Sequence, residues 1–410
     1  MMNEDIARFL LAPAGRTLLA EADALLAARA EMLTALTRLR RSVAPETAVA
    51  AWEMAELRRR GQAKFGPAAA EMYFVREALE QASGRGTADY HAARLVASGA
   101  QAVADLGGGI GGDALAFARA GLQVTLLERD PVRAIFAEAN ARIWELAERV
   151  VVVQEDITES PITAQAAWLD PARRRDSRRV SDPEDYAPPL SWLTELSARG
   201  IESIGVKLSP GIDHALAGHF GAELEFLSEG GECREALLWL GEARSGDALR
   251  ATVITPIGPV SLAGQEDVPG QPSAIAGRYL YEPDPAVIRA HLVRTLARQL
   301  VAAPIDPQIA YLLGDTLVST PFADAYEVLD RFPYGNKRLQ KALMDRDVGR
   351  VIIKKRGFPQ EPDEVRKQLK LRGSEEIIVI LARIGKGHEV FLCRLVQETA
   401  PTPSNNISRD

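Results

Sequence analysis

Residues 103–130 are the stretch of this 410-residue chain that most restricts its fold. The short apolar run Val103–Leu106 ends in a glycine cluster, which is typical of a buried parallel strand. A run of good helix formers, Ala114–Ala120, follows the glycines, and a second apolar run spans Val124–Leu127. Strand, glycine turn, helix and strand in this order predict a right-handed βαβ crossover. Such a turn lets a ligand lie against bare backbone while helix N–H groups point at it.

Two acids beside the turn bear on which ligand it holds. Gly107, Gly109 and Gly112 satisfy the dinucleotide pattern G-x-G-x-x-G, so a nicotinamide cofactor is one candidate. Asp105, however, places a carboxylate at the end of the first strand, where it would repel a pyrophosphate and attract an ammonium group. Glu128 closes the second strand about 20 residues on, where an acid can accept from both ribose hydroxyls. Both acids favour S-adenosylmethionine (SAM), whose methionine part carries an ammonium group.

The segment resembles the first motif of class I SAM-dependent methyltransferases, D/E-x-G-x-G-x-G. Asp105, Gly107, Gly109 and Gly111 stand in place in that motif. The resemblance implies an α/β fold for residues 101–244, a Rossmann-like seven-stranded methyltransferase sheet, with SAM as the cofactor.

The resemblance also implies an adenine contact after the third strand, where the family has an acid followed by an apolar residue. Asp156 and Ile157 stand there, and Asp156 is equally well explained as a turn aspartate. We expect the cofactor to be bound by Asp105, Gly107, Gly109, Gly111, Asp113, Glu128, Arg129, Asp156 and Ile157.

Asp170-Pro171-Ala172-Arg173 follows the predicted fourth strand, Ala166–Leu169. Asp170 is therefore expected in the same crevice, because ligands of open parallel sheets bind outside the carboxyl strand ends. In the resembled family this motif faces the substrate, and enzymes that methylate exocyclic amines of bases use D/N/S-P-P-aromatic. There an acceptor side chain and a neighbouring carbonyl fix the amine lone pair in line with the methyl group. Ala172 and Arg173 depart from this pattern, although an arginine can stack on a base or hold a phosphate. An ordinary strand-end turn is the alternative, and we predict Asp170, Pro171 and Arg173 as catalytic residues.

The motif D-P-x-R is also similar to that of C5-uridine methyltransferases, which attack the base with a cysteine after the fifth strand. The predicted fifth strand, Ile201–Val206, is followed by Lys207, Leu208 and Ser209, and no cysteine is present there. A serine is a poor nucleophile for addition to a pyrimidine, so we exclude that chemistry. Five arginines lie between 173 and 179 and alternate with acids, as a mobile lid or a solvated loop would. They suit a polyanionic substrate, and we expect Arg174, Arg175 and Lys207 to contact it.

The rest of the chain divides by pattern and charge. Residues 1–100 are predicted to form an all-helical domain, and residues 245–325 a connecting module with an amphipathic helix over Pro283–Leu300. Residues 326–397 hold 16 lysines and arginines against 10 acids, which makes them a small basic α/β domain. Residues 398–410 are predicted to be a disordered tail.

The basic domain reads as helix, strand, helix and hairpin, and it resembles a THUMP-like RNA-binding domain. The resemblance depends on that order, on the charge and on the phrase GRVIIKKRG at 349–357. A solvated α/β module is the alternative. The resemblance implies RNA as a partner, with Lys354, Lys355 and Arg356 among the residues that contact it.

Composition excludes several other partners and sites. The formal net charge of −7 gives no global basic field. Cys233 and Cys393 supply neither a disulfide framework nor a zinc cluster, and His214 and His219 lack nearby acids or cysteines, so no metal is expected. No apolar run reaches the ~18 residues of a membrane span, and no signal sequence is evident, so we expect a cytoplasmic protein.

These features predict transfer of a methyl group from SAM to a base nitrogen of structured RNA, either tRNA or rRNA. One alternative is a methyltransferase that acts on a small molecule or protein. Another is an RNA-binding protein that holds SAM without turnover. A nicotinamide oxidoreductase would need a hydride-site acid or histidine, which the sequence does not place.

Overall fold

The computed structural model describes residues 2–171, 174–175, 178–179, 182–267 and 277–396. Two compact units make up the chain. The first extends from the N-terminus to Glu225 and includes Glu235–Gly246, and the second comprises Phe226–Arg234 and the residues from Asp247 onward. The predicted tail at 398–410, and Ala172 and Arg173 of the substrate motif, lie outside the described residues.

Helices form the N-terminal part of the first unit, as predicted. They are α1 (Glu4–Leu11), α2 (Pro13–Ala27), α3 (Met32–Leu39), α4 (Pro45–Phe65), α5 (Arg76–Gln81) and α6 (Arg85–Ala97). A proline opens α2 and α4 at the first helical position, where its missing N–H has no partner to lose. Arg58 of α4 is buried, and it donates to Asp23 at 2.9 Å and to the carbonyls of Glu71 and Met72 at 3.0 Å.

A largely parallel sheet follows these helices. Its strands are β1 (Ala102–Leu106), β2 (Gln123–Leu127), β3 (Val150–Val153), β4 (Ala166–Leu169), β7 (Ser203–Leu208), β8 (Glu223–Glu229) and β9 (Glu232–Gly241), while β5 (Arg174–Arg175) and β6 (Arg178–Arg179) pair separately. The order of these seven strands is β3–β2–β1–β4–β7–β9–β8. The first five of these strands are parallel, and β9 runs antiparallel to β7. This arrangement is the Rossmann-like sheet, with its closing hairpin, that the sequence predicts.

Helices between the strands cover this sheet: α7 (Gly112–Arg119), α8 (Pro131–Ile143), α9 (Leu193–Ala198) and α10 (Ala215–Phe220). Every residue of β4 and β7 is buried, as expected for central parallel strands. The carboxyl ends of β1, β2 and β4 are neighbours in this order, so the loops that follow them meet at one edge of the sheet.

The second unit contains its own sheet of order β13–β14–β12–β15–β18–β17–β16. The strands of this sheet are β12 (Tyr279–Pro283), β13 (Ala303–Asp306), β14 (Ile309–Gly314), β15 (Ala323–Pro333), β16 (Val348–Arg356), β17 (Glu375–Ile384) and β18 (Gly387–Leu395). Two further strands of the unit, β10 (Leu249–Thr255) and β11 (Gly258–Gly264), are not part of this sheet and pair antiparallel with each other. The helices of the unit are α11 (Pro285–Arg289), α12 (Val293–Gln299), α13 (Asn336–Met344) and α14 (Pro362–Gln368). The predicted succession of helix, strand, helix and hairpin is confirmed by α13, β16, α14 and β17–β18.

Side chains of β17 alternate between two cores, one on each face of this sheet. Val379 packs with Leu339 and Val365 of the two helices, whereas Ile380 packs with Tyr326 on the opposite face. The helices therefore cover one face of the domain, and Tyr311 and Tyr326 belong to the other.

The helix predicted over Pro283–Leu300 is instead two helices, α11 and α12. His291 adopts a left-handed backbone conformation with φ of 55°, and the N–H of Leu292 donates to Val287, which ends α11. Leu292 and Leu296 are nevertheless fully buried, so the apolar spacing predicts the buried face correctly and only the continuity of the helix is wrong.

None of the helices in the described ranges is long and apolar enough to cross a membrane.

Candidate active site

The glycine turn between β1 and α7 presents open backbone at the sheet edge. Gly107, Gly109 and Gly111 have φ of 82°, 58° and 90°, which residues with a Cβ rarely adopt. A Cβ on Gly109 would meet no atom within 4 Å, and one on Gly107 would meet only the carbonyl oxygen of Asp170 at 3.9 Å. The turn thus leaves room for a ligand directly above these two residues.

Gly108, between these residues, has no room for a side chain. A Cβ there would lie 2.5 Å from Leu126 Cγ and 2.7 Å from Asp105 Oδ2. Such distances require a side chain or the backbone to move. The central glycine is therefore needed for packing, and its neighbours leave the ligand side open.

Glu128 holds the turn in place from the end of β2. Its buried carboxylate accepts a hydrogen bond from the N–H of Gly109 at 3.0 Å and one from the N–H of Asp130 at 2.8 Å. Sequence reasoning expects Glu128 to bind a ribose and misses this structural role. Each carboxylate oxygen retains a second acceptor site, so the predicted ribose contact stays compatible with the geometry.

Asp105 carries an unsatisfied buried oxygen at the same edge. Its Oδ2 is buried and has no hydrogen-bond partner among the described residues. Burial raises the pKa of Asp105 well above its usual range, and the negative charges of Asp113 and Asp170 raise it further. A ligand that brings a cationic N–H donor to this oxygen would satisfy it.

Asp170 and Lys207 form an ion pair beside the turn. Lys207 Nζ lies 2.6 Å from Asp170 Oδ2, and it also donates to the carbonyl of Gln81 at 3.1 Å and to Ser83 Oγ at 3.3 Å. Burial alone would lower the pKa of Lys207, but Asp170 and Asp113 outweigh it, so Lys207 stays protonated. The structure thus gives Lys207 internal partners in place of the base or phosphate expected of it, since its side chain is only 6% exposed.

A buried histidine links the helical region to the sheet. His91 Nδ1 lies 2.9 Å from Asp113 Oδ1, and its Nε2 lies 2.5 Å from Glu235 Oε1. Asp113 also accepts from Ser83 Oγ at 3.1 Å. Burial would lower the pKa of His91, but Glu235 and Asp113 outweigh it and raise the pKa to about 9. Asp113, predicted at the cofactor, is therefore committed to His91 and Ser83.

Sequence reasoning misses His91 altogether. The residue lies on α6, 22 positions from Asp113 and 144 from Glu235, so no local spacing signals the cluster. The βαβ motif has no position for a histidine, and His91 comes from a helix that precedes the motif.

Asp156 has the turn geometry that is one of the two roles considered for it. Its Oδ1 accepts from the N–H and hydroxyl of Thr158 at 3.0 and 2.7 Å, which is the turn geometry, and these bonds lower its pKa. Its Oδ2 lies 4.0 Å from Arg129, whose side chain is 71% exposed. Ile157 follows and is half-buried, so the adenine contact stays a prediction.

The structure describes three of the four remaining predicted catalytic and substrate residues. Pro171 is buried behind Asp170. Arg174 and Arg175 pair through their backbones with residues 178 and 179, and Arg173 lies outside the described residues.

The basic residues of β16 in the second unit have internal acidic partners. Lys354 Nζ lies 2.5 Å from Glu282 Oε2, and Arg356 lies 3.4 Å from Glu282 Oε1. Lys355 Nζ lies 2.6 Å from Glu361. Their predicted contact with RNA stays untested, but each would have to exchange a carboxylate for a phosphate.

Known proteins identify the family. Two Mycobacterium tuberculosis proteins, from strains CDC 1551 and H37Rv, are each 34% identical over 351 residues, which cover 82% of this chain and 94% of theirs. Both are described as uncharacterized S-adenosylmethionine-dependent methyltransferases. The chain belongs to the S-adenosylmethionine-dependent methyltransferases. The predicted cofactor, SAM, is thereby confirmed.

Two parts of this methyltransferase match domain families. Residues 323–395 match the family described as THUMP domain-like, which confirms that prediction, and residues 4–61 match a domain family of unknown function. The crystal structure of a presumed methyltransferase from Porphyromonas gingivalis W83 aligns with a TM-score of 0.77 at 23% identity. It covers 93% of this chain and 99% of that chain, so the methyltransferase shares its fold.

Proposed function

We propose that this methyltransferase transfers a methyl group from SAM to an exocyclic amine nitrogen of a base in structured RNA, either tRNA or rRNA. The observation that carries the proposal is the Asp170 carboxylate, which Lys207 holds at 2.6 Å beside the open glycine turn. Among the described residues nothing donates to the second oxygen of Asp170, so that oxygen is available to an amine N–H.

The residues of the turn fit the cofactor. The unsatisfied Oδ2 of Asp105 suits the methionine ammonium, and the open backbone of Gly107 and Gly109 suits the close approach of the cofactor. Glu128 would accept from the ribose hydroxyls and Ile157 would pack on the adenine. Gly111, Asp113, Arg129 and Asp156 would support these contacts from the same loops.

The bound cofactor supplies an electrophilic methyl group on a sulfonium. Asp170 and the carbonyl of Pro171 would accept the two hydrogens of the amine, which fixes its lone pair toward that methyl group. When the amine nitrogen takes the methyl group in exchange for that group's bond to sulfur, it would release one proton, and the second oxygen of Asp170 would accept that proton. Because a methylated, positively charged amine nitrogen of a base is strongly acidic, a carboxylate would be a sufficient proton acceptor.

The support for RNA as the substrate comes from the second unit. Its residues 323–395 match the THUMP domain-like family, and the surplus of lysines and arginines over acids at 326–397 suits a polyanion. Arg173, Arg174 and Arg175 would contact base or phosphate near Asp170, and Lys354, Lys355 and Arg356 remain further candidates for the RNA.

The test is incubation of the full chain with tritiated SAM and total RNA from a strain that lacks the gene, followed by nucleoside analysis. We expect one methylated nucleoside, and we expect Asp170→Ala to abolish incorporation while SAM affinity is kept. Asp185→Ala, an exposed aspartate 15 positions on, is the matched control and should retain activity. SAM binding without any labelled RNA would contradict the proposal and favour a non-catalytic role or another substrate.

A further inference from the structure

Two hydrogen-bonded contacts fix α13 against the end of α14 in the THUMP-like domain. Asn336 Nδ2 donates to Gln368 Oε1 at 2.5 Å. Gln340 bonds twice to the backbone of Lys370, donating to its carbonyl at 2.9 Å and accepting from its N–H at 2.6 Å. The side-chain amides of one helix thus hold the other at a fixed spacing.

Four lysines surround these contacts. Lys337 follows Asn336, Lys341 follows Gln340, Lys367 precedes Gln368, and Lys370 is itself bonded through its backbone. All four are exposed. We call Lys337, Lys341, Lys367 and Lys370 the clamp lysines.

The clamp lysines differ from Lys354, Lys355 and Arg356 of β16 in having no acidic partner. In the described part of the chain, none of their four ammonium groups forms an ion pair. Asp345 and Asp363 lie one helical turn from Lys341 and Lys367, and neither reaches a lysine. Lys354 and Arg356, by contrast, share the carboxylate of Glu282, which lowers the net charge that they offer to a ligand.

The packing of α13 directs two of the clamp lysines outward. Leu339 and Leu343 are fully buried in the domain core, and Lys337 and Lys341 lie on the exposed side of the same helix, one helical turn apart. Contacts between phosphates and these unpaired ammonium groups cost little free energy, because no internal ion pair has to break.

We infer that the clamp lysines form the main surface on which the RNA backbone lies. The basic residues of β16, within the sequence GRVIIKKRG, would contribute less to RNA binding than the clamp lysines. The inference rests on the proposed function, which makes RNA the partner. Positive charge without base-reading groups suits phosphate contacts, which position an RNA without specifying its sequence.

Charge reversal in the full-length protein tests this surface. The variant Lys337→Glu/Lys367→Glu changes one lysine on each helix, and the probe is an unmodified tRNA transcript in a filter-binding assay at several salt concentrations. The matched control, Lys386→Glu/Arg394→Glu, makes the same charge change at exposed positions of the β17–β18 hairpin. A third variant, Lys355→Gln, removes one β16 charge. Thermal unfolding shows whether each variant is folded.

We expect the clamp variant to bind at least roughly tenfold more weakly and to lower the slope of log affinity against log salt by about 2. The control and Lys355→Gln should each change affinity by less than about threefold. A clamp variant that binds like the control, or a larger loss in Lys355→Gln, would overturn the inference.

The methylation assay tests the proposed function independently of the test of the RNA-binding surface. Loss of tRNA binding in the clamp variant supports the surface even if the wild type methylates no RNA. Methylation of RNA by a clamp variant with an unchanged KM would overturn the surface and leave the reaction standing.

Discussion

Replacement of Lys207 by methionine is the most direct test of how the site is built. Methionine keeps most of the buried volume and removes the ammonium group, so Asp170 Oδ2, Ser83 Oγ and the Gln81 carbonyl lose a common donor. Removal of one partner from a buried ion pair costs about 3–5 kcal/mol. Asp170 is 26% exposed and water can solvate it in part, so we expect about 2–3 kcal/mol of lost stability.

The catalytic effect should be larger than the effect on cofactor binding. Without Lys207 the Asp170 carboxylate is free to rotate, and a displacement of about 1 Å can cost 100-fold in rate. We therefore expect kcat to fall by about 100-fold, while the Kd for SAM changes by less than about threefold. Tritium incorporation gives the rate, and calorimetry gives the SAM affinity.

Lys207→Arg is the control because it keeps the charge in a longer side chain. It should recover part of the rate, which a purely structural loss would not predict. A folded Lys207→Met enzyme with the wild-type kcat would refute the idea that Lys207 positions Asp170.

Two further predictions follow from the buried groups near the turn. His91 has a pKa of about 9, above the 6.5 of an unfolded histidine, so its stabilisation is complete below about pH 6.5 and is lost as pH rises toward 9. The difference in unfolding free energy between wild type and His91→Gln should therefore shrink by roughly 3 kcal/mol between pH 6 and pH 9.5, as measured by urea denaturation, and a constant difference would contradict the assignment. Gly108→Ala would place a Cβ 2.5 Å from Leu126, so SAM affinity should fall by at least about tenfold. Gly218→Ala, where a Cβ meets nothing within 4 Å, should bind SAM normally in the same calorimetric assay, and equal behaviour of the two would count against the packing argument.

The fold was accessible from sequence because its signals are local. Apolar runs of four to six residues, a glycine turn and a helix give the βαβ unit, and parallel strands place their following loops at one edge by geometry. That is why Asp105, Glu128 and Asp170 could be assigned to one crevice before any coordinates. The strand Ala323–Pro333 escaped detection because polar and charged residues such as Asp324, Glu327 and Asp330 interrupt its apolar pattern.

The contacts of individual side chains cannot be predicted from such local patterns. The sequence predicts Lys207 at the substrate because its positive charge, next to the crevice, suits a polyanion. Its partner Asp170 is 37 residues away in sequence and comes within 2.6 Å only through the pairing of β4 with β7. Long-range ion pairs of this kind depend on register and side-chain rotamers, which sequence pattern does not encode.

The helices before the sheet contact residues of the candidate active site as well as supporting the fold. Lys64 donates to the carbonyls of Leu79, Glu80 and Ala82, which fixes the chain just ahead of Ser83. Ser83 then bonds to Asp113, and the same segment accepts from Lys207, while His91 pairs with Asp113 from the next helix. These bonds lie beneath the loops that carry the predicted cofactor and substrate residues. A fragment that begins at residue 101 would lack these partners of Lys207 and Asp113, so we expect it to lose the position of Lys207 that holds Asp170.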